Sequence, residues 1–349
     1  MTLELLDTLA RDGFEELHAL HDWRSGARAF LVLDDTSGGP GFGGIRRWSY
    51  IDEAQALRDC LRLARGMTLK CALADLPAGG AKLVLLDRPE LELDGAYRYL
   101  GEVVERLAGR YYSGPDVGTT ERELAWVAER TRFVTQPGPE GPGELADATC
   151  AGVIAGIEAA LEHLDGAVDW PRRTVLVQGL GEVGARVAGS ARRRGARVLA
   201  SEIDTERGES VARELDLELI DPSRELDPSC DVFAPCALGG IVHDLSLVRL
   251  RCRVIAGAAN NVLANPGHGD RLHERGVLYV PDFAINSGAL IRGARFHLDG
   301  IREPLPAIGA RIAQIVTHIL CRSRDEDLAP ARVAHQEAQR RVEHRRAQS

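Results

Sequence analysis

The sequence predicts an α/β protein of two domains, of which the second is a doubly wound parallel sheet. Its 349 residues are enough for two domains that each bury a core. The clear break in composition is the segment 137–143, in which alternating Pro and Gly disfavour both helix and strand. Beyond this break, short apolar runs alternate with helical patterns, which is typical of parallel βαβ units. The domain boundary is therefore predicted at this segment.

The first domain is predicted to comprise residues 1–143, completed by a C-terminal helix within 325–349. Residues 29–33 have the composition of a strand, and residues 51–65 have helical periodicity with acidic residues in the first turn. These elements predict a smaller α/β unit before the boundary.

The second domain is predicted to span residues 144–324. Its predicted strands are 174–178, 197–202, 231–234, 253–256 and 277–280. Four isoleucines recur at helical spacing toward the C-terminus, at Ile308, Ile312, Ile315 and Ile319, and a last helix is predicted over 330–345. We expect these two helices to serve packing and contacts between subunits.

Composition restricts the partners and the location. The chain has 43 Lys and Arg against 52 Asp and Glu, and the formal net charge of −9 disfavours nucleic acid and anionic lipid. The N-terminus lacks the basic start of a secretion signal, and no stretch reaches membrane-spanning length. Seven cysteines form no CxxC pair and ten histidines show no HxxxH spacing, so we expect reduced thiols, no metal site and a cytoplasmic location.

The segment 174–184 contains an apolar strand that leads into the pattern GxGxxG, and a helical pattern follows it. Here Gly179 permits a tight turn, Gly181 admits a pyrophosphate to the backbone, and Gly184 lets the helix pack on the strand. The pattern predicts a Rossmann dinucleotide site with the phosphates at the helix N-terminus.

Glu202 lies at the end of the next predicted strand, where a carboxylate binds the ribose hydroxyls of NAD. A 2′-phosphate beside Glu202 would meet like charge, which favours NAD over NADP. Arg207, nearby, and Arg197, at the start of that strand, favour NADP, which remains the alternative.

Two lysines lie on either side of a glycine-containing turn. Lys70 belongs to the largely apolar stretch 67–76, and Lys82 stands between a Gly-Gly pair and an apolar run. A poorly solvated amine can lose its proton near neutral pH, as a general base must, although each lysine alone is compatible with a solvated surface. Asp116, in the turn-forming stretch 111–120, is either a further catalytic group or a turn residue.

Eight segments resemble those of leucine, phenylalanine and tryptophan dehydrogenases, which belong to the Glu/Leu/Phe/Val dehydrogenase family. They occur in the family's order and cover about residues 27–345. The segments are Gly-Gly-Ile-Arg at 43–46, Arg-Gly-Met-Thr-Leu-Lys at 65–70, Gly-Gly-Ala-Lys at 79–82, Asp-Val-Gly-Thr at 116–119, and the segments 178–184, 234–239, 256–261 and 281–286.

The resemblance implies roles for individual residues. The substrate carboxylate is bound by a lysine, two backbone glycines and an asparagine, namely Lys70, Gly43, Gly44 and Asn261, and Met67 is a further substrate-binding residue. Lys82 contacts the oxygen on the reacting carbon and activates water, Asp116 relays protons, and Thr149 contacts the nicotinamide amide. The other implied cofactor contacts are Gly179, Gly181, Glu182, Val183, Gly184, Glu202, Ala237, Ala258, Asn260 and Asn286.

Four positions match the side-chain pocket of the family: Phe42, Gly114, Leu290 and Gly293. Leucine dehydrogenases resemble one another in having Leu, Ala, Val and Val there. The two glycines remove volume from the walls, and Leu290 resembles the phenylalanine and tryptophan enzymes, so we expect an aromatic L-amino acid. Phe42 acts in the opposite sense by volume unless it stacks on the substrate ring. A branched-chain substrate such as leucine or valine is the alternative.

Four residues depart from the family's pattern. Ala81 replaces a glycine, Asp147 replaces a proline at the hinge, and Arg292 and Arg295 make a segment near the pocket unusually basic. The arginines either bind a second carboxylate or a polar substrate tail, or face solvent on a helix.

The resemblance implies reversible, NAD-dependent oxidative deamination of a hydrophobic L-amino acid to its 2-oxo acid and ammonia. It also implies a homo-oligomer, at least a dimer built on the N-terminal domain, and an active site in the cleft between the domains. The alternatives are a biosynthetic relative acting on a tryptophan-like precursor, an NAD-responsive binding protein without turnover, and a 2-hydroxy acid dehydrogenase. The last is disfavoured because no histidine lies in the matched segments.

Overall fold

The computed structural model describes residues 5–237 and 239–348, and it confirms an α/β fold of two units. The first unit runs to Gly143 and adds Gly293–Arg302 and the segment that begins at Ala338. The second unit comprises Glu144–Arg292 and Glu303–Glu337. Residues 1–4 and 349 of the predicted first domain lie outside the described residues, as does Leu238 of the family segment 234–239.

The helices and strands of the two units follow the chain in order. Those before the boundary are α1 (Leu5–Asp12), β1 (Glu16–Asp22), β2 (Ala27–Asp35), β3 (Gly41–Phe42), β4 (Ile45–Trp48), α2 (Glu53–Leu73), β5 (Gly79–Leu86), α3 (Leu93–Arg106), β6 (Tyr111–Tyr112) and α4 (Glu121–Ala128). Those after it are α5 (Leu145–Asp165), β7 (Thr174–Gln178), α6 (Glu182–Arg193), β8 (Arg197–Ser201), α7 (Thr205–Leu215), β9 (Glu218–Leu219), β10 (Cys230–Pro235), α8 (Asp244–Arg249), β11 (Cys252–Ile255), α9 (Gly267–Glu274), β12 (Leu278–Tyr279), α10 (Asp282–Ile285), α11 (Gly288–Asp299), α12 (Leu305–Glu326) and α13 (Pro330–Arg346).

The first unit is a mixed six-stranded sheet with helices on both faces. Its strand order is β1-β2-β5-β3-β6, and β4 also pairs with β5. Strands β1, β2 and β5 are antiparallel neighbours, whereas β3, β4 and β6 join the sheet by parallel pairing. Alternate residues of β2 and β5 pack against α2 on one face and against α3 and α4 on the other, which explains why β5 is buried along its whole length.

Helix α2 is longer than the predicted 51–65. It begins after Asp52, whose carboxylate accepts a hydrogen bond of 2.6 Å from Gln55 N, and it ends at Leu73. The buried residues continue through Thr68, Leu69 and Leu73, so burial carries the helix past Gly66 despite the poor helix propensity of glycine.

The second unit is an all-parallel six-stranded sheet with the order β12-β11-β10-β7-β8-β9. Strand β7 matches its prediction, and the other four predicted strands differ by one residue at one or both ends. Strand β9 was not predicted, because its two residues are exposed and belong to no apolar run. The strand order reverses between β7 and β10, and open α/β sheets bind ligands at such a point, outside the carboxyl ends of the strands.

The return of the chain to the first unit is predicted at residue 325, but in the structure it falls within α13, between Glu337 and Ala338. Ile308, Ile312 and Ile319 are buried in α12, which packs on α5, and Ala331, early in α13, packs on the core of the second unit. Arg341, later in α13, donates to the carbonyl oxygens of α2, which attaches the end of the helix to the first unit. None of the helices within 5–237 and 239–348 combines the length and apolarity that a membrane crossing requires.

Candidate active site

Gly43 and Gly44, between β3 and β4, bring two other segments of the first unit into backbone contact. A Cβ atom on Gly43 would lie 1.8 Å from the carbonyl oxygen of Ala81, and one on Gly44 would lie 2.3 Å from that of Pro115. Only glycine allows such close approach. The two predicted catalytic residues follow directly after these contact points, so the glycines hold them close together.

Lys82 and Asp116 form a buried ion pair. Lys82 is 5 % exposed, and its Nζ lies 2.6 Å from Oδ2 of Asp116. Arg46 Nε donates to the same carboxylate oxygen at 2.9 Å. Burial by itself raises the pKa of Asp116, but the positive charges of Lys82 and Arg46 outweigh it and hold that pKa well below its usual range. Asp116 is therefore a carboxylate that balances two cations, and not merely a turn residue.

The ion pair continues into a chain of charged groups that the sequence did not predict. Arg46 Nη1 donates to Asp59 Oδ2 at 3.2 Å, and the Tyr50 hydroxyl donates to the same oxygen at 2.7 Å. Arg62, half-exposed, donates to the other oxygen of Asp59 at 2.6 Å. Arg46 lies in a segment that matches the family, but its pattern alone did not indicate that it would contact Asp116.

Lys70 and Lys82 are the only lysines in the chain; the other 41 of its 43 basic Lys and Arg residues are arginines. The rarity of lysine is thus a compositional signal for both positions, independent of the sequence patterns around them. Arginine stays protonated in proteins, whereas an amine can exchange its proton. Lys70 and Lys82 are therefore the two basic Lys and Arg positions of the chain that carry an amine able to exchange its proton.

The segment 65–70 combines anchoring and candidate binding residues. Arg65 Nε donates to Asp34 at 2.8 Å and the Thr68 hydroxyl donates to the same carboxylate at 2.5 Å, which ties α2 to β2. Burial raises the pKa of Asp34, against the opposing effects of these two partners. Met67 and Lys70 are half-buried and lie three residues apart, hence on one face of α2.

Three of the four predicted pocket residues belong to the first unit. Phe42 stacks on Tyr112, with ring centroids 4.8 Å apart and planes 3° from parallel, so one face of Phe42 is already occupied within the chain. Gly114 and Gly293 both lie beside Thr135, which is the nearest neighbour of a Cβ built on either glycine, at 3.4 and 3.3 Å. The fourth, Leu290, is half-buried in the second unit.

Three of the four departures from the family's pattern have local explanations. Ala81 is fully buried in the sheet core, where its methyl group contributes packing. Asp147 lies in the first turn of α5, and its carboxylate accepts a bond of 2.8 Å from Arg186. Arg295 pairs with Asp299 one helical turn away, so its charge is balanced on its own helix.

The glycine pattern of the second unit has the geometry of a dinucleotide turn. Gly179 has φ = +86°, and a Cβ atom on Gly184 would lie 1.9 Å from the Gly179 carbonyl oxygen. Gly181 immediately precedes α6, and apart from Gly181 and its chain neighbours no atom of the described residues lies within 4 Å of the position that its Cβ would take. The backbone at this helix N-terminus is therefore open to an approaching group.

Glu202 lies against the same turn. One carboxylate oxygen accepts a hydrogen bond of 2.8 Å from Leu180 N, and the other accepts one of 3.0 Å from Asp204 N. Arg207 approaches Glu202 to 3.9 Å and Asp204 to 3.2 Å. The arginine that favoured NADP is thus paired with two carboxylates.

The remaining predicted cofactor residues belong to the same unit. Asn286 Nδ2 donates to the Ala258 carbonyl at 3.1 Å and to Asn260 Oδ1 at 2.9 Å. A Cβ on Gly179 would lie 2.8 Å from that of Ala237. Glu182 and Val183 lie in the first turn of α6. The Thr149 hydroxyl donates to the Leu145 carbonyl oxygen at 3.2 Å. Asn261 is exposed and has φ = +53°.

Two family models match this chain. The model described as Glu/Leu/Phe/Val dehydrogenase, dimerisation domain, matches residues 21–133, and that described as Glutamate/Leucine/Phenylalanine/Valine dehydrogenase matches residues 201–294. A leucine dehydrogenase of Thermoactinomyces intermedius is 37% identical over 84% of this chain and 81% of its own length. A phenylalanine dehydrogenase of the same organism is 34% identical over 95% of this chain and 92% of its own.

The chain belongs to the glutamate/leucine/phenylalanine/valine dehydrogenase family. It is therefore an amino acid dehydrogenase, an oxidoreductase. The crystal structure of L-tryptophan dehydrogenase from Nostoc punctiforme matches it with a TM-score of 0.83 and 32% identity, covering 98% of this chain and 100% of that one. Lys70, Lys82 and Asp116 fall within the first matched range, and Glu202 falls within the second.

Proposed function

We propose that this amino acid dehydrogenase oxidatively deaminates a hydrophobic, aromatic L-amino acid to its 2-oxo acid and ammonia, with NAD as the oxidant, and that it also catalyses the reverse reaction. The observation that carries the proposal is the buried Lys82–Asp116 pair, 2.6 Å between Nζ and Oδ2, beside the backbone of Gly43 and Gly44. A nearly desolvated amine in contact with a carboxylate is suited to moving protons at a reacting carbon.

In this mechanism the first unit binds the substrate and moves its protons. Lys70 pairs with the substrate carboxylate, assisted by backbone groups at Gly43 and Gly44 and by Asn261. Lys82 first passes its proton to Asp116 and then, as a neutral amine, takes a proton from the water that attacks the iminium carbon. Asp116 gives the proton it received to the departing amine, so that ammonia leaves and the ion pair is restored. Arg46 keeps Asp116 ionised between turnovers.

The residues of the second unit fit a dinucleotide. The open backbone at Gly181 and the N-terminus of α6 suit a pyrophosphate, and Glu202 suits ribose hydroxyls. NAD bound there would accept a hydride from the substrate α-carbon. NAD is proposed over NADP because Arg207 is already paired with Glu202 and Asp204.

The aromatic preference is supported by the two pocket glycines, because neither carries a side chain into the space around Thr135. A methylene-sized difference in such a pocket is worth only about 1–3 kcal/mol, so branched-chain substrates are expected to react more slowly rather than to be excluded. The match of the first unit to a dimerisation domain supports a homo-oligomer built on that unit.

The test is NADH formation, followed by absorbance, with purified protein, NAD and separate L-phenylalanine, L-tryptophan, L-leucine, L-valine and L-glutamate. Activity on the aromatic amino acids is expected. Activity on leucine or valine alone would keep the reaction and reject the aromatic pocket. No activity on any of the five, with NAD binding retained, would favour the binding protein or the biosynthetic relative.

A further inference from the structure

The side-chain pocket contains a histidine that neither the sequence patterns nor the proposed chemistry uses. His297, in α11, packs against Tyr112 with ring centroids 4.9 Å apart and against Phe42 with centroids 6.3 Å apart. Its Nε2 lies 3.0 Å from the Thr135 hydroxyl oxygen. Among the described residues this is the one hydrogen bond that the ring makes.

The same threonine connects His297 to the two small pocket positions. Thr135 is 6 % exposed and is the nearest neighbour of a Cβ placed on Gly114 or on Gly293. Gly293 also precedes His297 by one turn of α11, so the two share a helix face. A substrate side chain that fills the space left by the two glycines therefore meets Thr135 and, beyond it, the imidazole.

The imidazole is uncharged in this environment. Burial lowers the pKa of His297 to about 4, and within residues 5–237 and 239–348 no carboxylate is paired with the ring. A neutral imidazole has one donor and one acceptor nitrogen. If Nε2 donates to Thr135, Nδ1 is an acceptor; if the threonine hydroxyl donates to Nε2, the threonine oxygen still has a lone pair. In both arrangements the pair retains an acceptor for an incoming donor.

We propose that His297, held by Thr135, is the polar end of the side-chain pocket and selects aromatic amino acids whose ring carries a hydrogen-bond donor, a phenol O–H or an indole N–H, over phenylalanine. This rests on the proposed function and names its substrate class. An unsubstituted phenyl ring would displace water from the pair without replacing its hydrogen bond, and leaving a buried polar group unpaired is unfavourable. The catalytic step itself does not involve His297.

The experiment compares kcat/KM for L-tyrosine, L-tryptophan, L-phenylalanine and L-leucine in four proteins. These are the wild type, His297→Phe, which keeps an aromatic ring but removes both nitrogens, Thr135→Val, which replaces the hydroxyl by a methyl group, and His163→Phe as a control outside the pocket. His163 is a half-buried histidine in α5 of the second unit.

We expect the wild type to prefer tyrosine or tryptophan over phenylalanine, and His297→Phe and Thr135→Val to reduce that ratio about three- to tenfold, the range for one hydrogen bond. The kcat/KM for L-leucine should change less than the ratio does, and His163→Phe should leave the ratio unchanged. An unchanged ratio in both pocket variants would overturn the proposal.

Calorimetric binding of L-tyrosine and L-phenylalanine separates this inference from the proposed function. If the wild type turns over none of the amino acids, the proposed function fails, and the selectivity is then decided by binding alone. Weaker tyrosine binding by His297→Phe, with phenylalanine binding retained, would support the polar end. Equal effects on both ligands would reject it.

Discussion

The two candidate sites in this chain are built from different groups. In the first unit the candidate catalytic groups are side-chain charges, with Lys82, Arg46 and Asp116 joined by contacts of 2.6 and 2.9 Å. In the second unit the candidate cofactor turn is made by the backbone, through the positive φ of Gly179 and the close approach at Gly184. The charge network of the first unit depends on charge balance, whereas the glycine turn of the second unit depends on the absence of side chains.

This difference predicts how each site fails. A charge network is damaged by removing one partner, because the remaining buried charges are then uncompensated. A glycine turn is damaged by adding an atom, because the chain or the ligand has no room for it. Substitutions that keep shape but change charge should therefore affect the charge network most, and substitutions that add a methyl group should affect the glycine turn most.

The largest effect is expected from Lys82→Arg, which keeps the positive charge, and from Lys82→Ala, which removes it. Arginine retains the charge facing Asp116 but cannot act as a base. Both variants should lower kcat by about 10²- to 10⁴-fold, the range for a general base. The dissociation constant for NAD should stay the same in both, since cofactor contacts lie in the other unit. Substantial residual turnover in either variant would contradict the role of Lys82.

Removing the anion should reduce stability as well as turnover. Asp116→Asn leaves Lys82 and Arg46 as neighbouring buried cations and should lower the free energy of unfolding by about 3–5 kcal/mol at neutral pH. Because the pKa of Asp116 is lowered on folding, its stabilising contribution is present above the unfolded value near 3.8 and declines as the pH falls toward the folded value.

Urea unfolding at several pH values checks this prediction. The deficit of Asp116→Asn should shrink as the pH falls below about 4. The control is Asp147→Asn, which removes a half-exposed partner of Arg186 and should cost at most about 1 kcal/mol. A deficit that is constant with pH would mean that the lost stability is not electrostatic.

A smaller effect is expected at the ribose position. Glu202→Gln keeps an acceptor for Leu180 N but removes the negative charge. The ratio of kcat/KM for NAD to that for NADP should therefore fall by a factor of up to about ten. Glu206→Gln, an exposed change in the first turn of α7, is the control. An unchanged ratio for Glu202→Gln, and also for Glu202→Ser, would show that Glu202 does not contact the ribose.

The smallest effects compare two glycines that have room for a methyl group. For Gly66, inside α2, and Gly181, before α6, no atom of the described residues comes within 4 Å of the prospective Cβ, apart from the glycine itself, its chain neighbours and the local helix backbone. Gly66→Ala should raise the free energy of unfolding by about 0.5–1 kcal/mol, because alanine favours a helix interior. Gly181→Ala should leave stability nearly unchanged but weaken NAD binding, as measured by titration. Equal NAD binding by the wild type and Gly181→Ala would place the pyrophosphate elsewhere.

Much of the second unit follows from local sequence. The strand before Gly179 is buried on both sides, so its apolar run is continuous and its ends are marked by polar and glycine residues. The first unit was harder to predict, because β3 and β6 have two residues each and exist only through pairing with neighbours distant in the chain. Short strands of this kind leave no periodicity to detect.

The sequence alone determined the α/β class and predicted the break at residues 137–143, the glycine turn and the candidate residues Lys82 and Asp116, because each is a local pattern or a family segment. Tertiary structure decided that Arg46 shares the carboxylate of Asp116 and that His297 meets Thr135 across 162 positions of sequence. Contacts of this kind depend on which strand edges and helix faces are brought together, and no spacing rule along the chain specifies them.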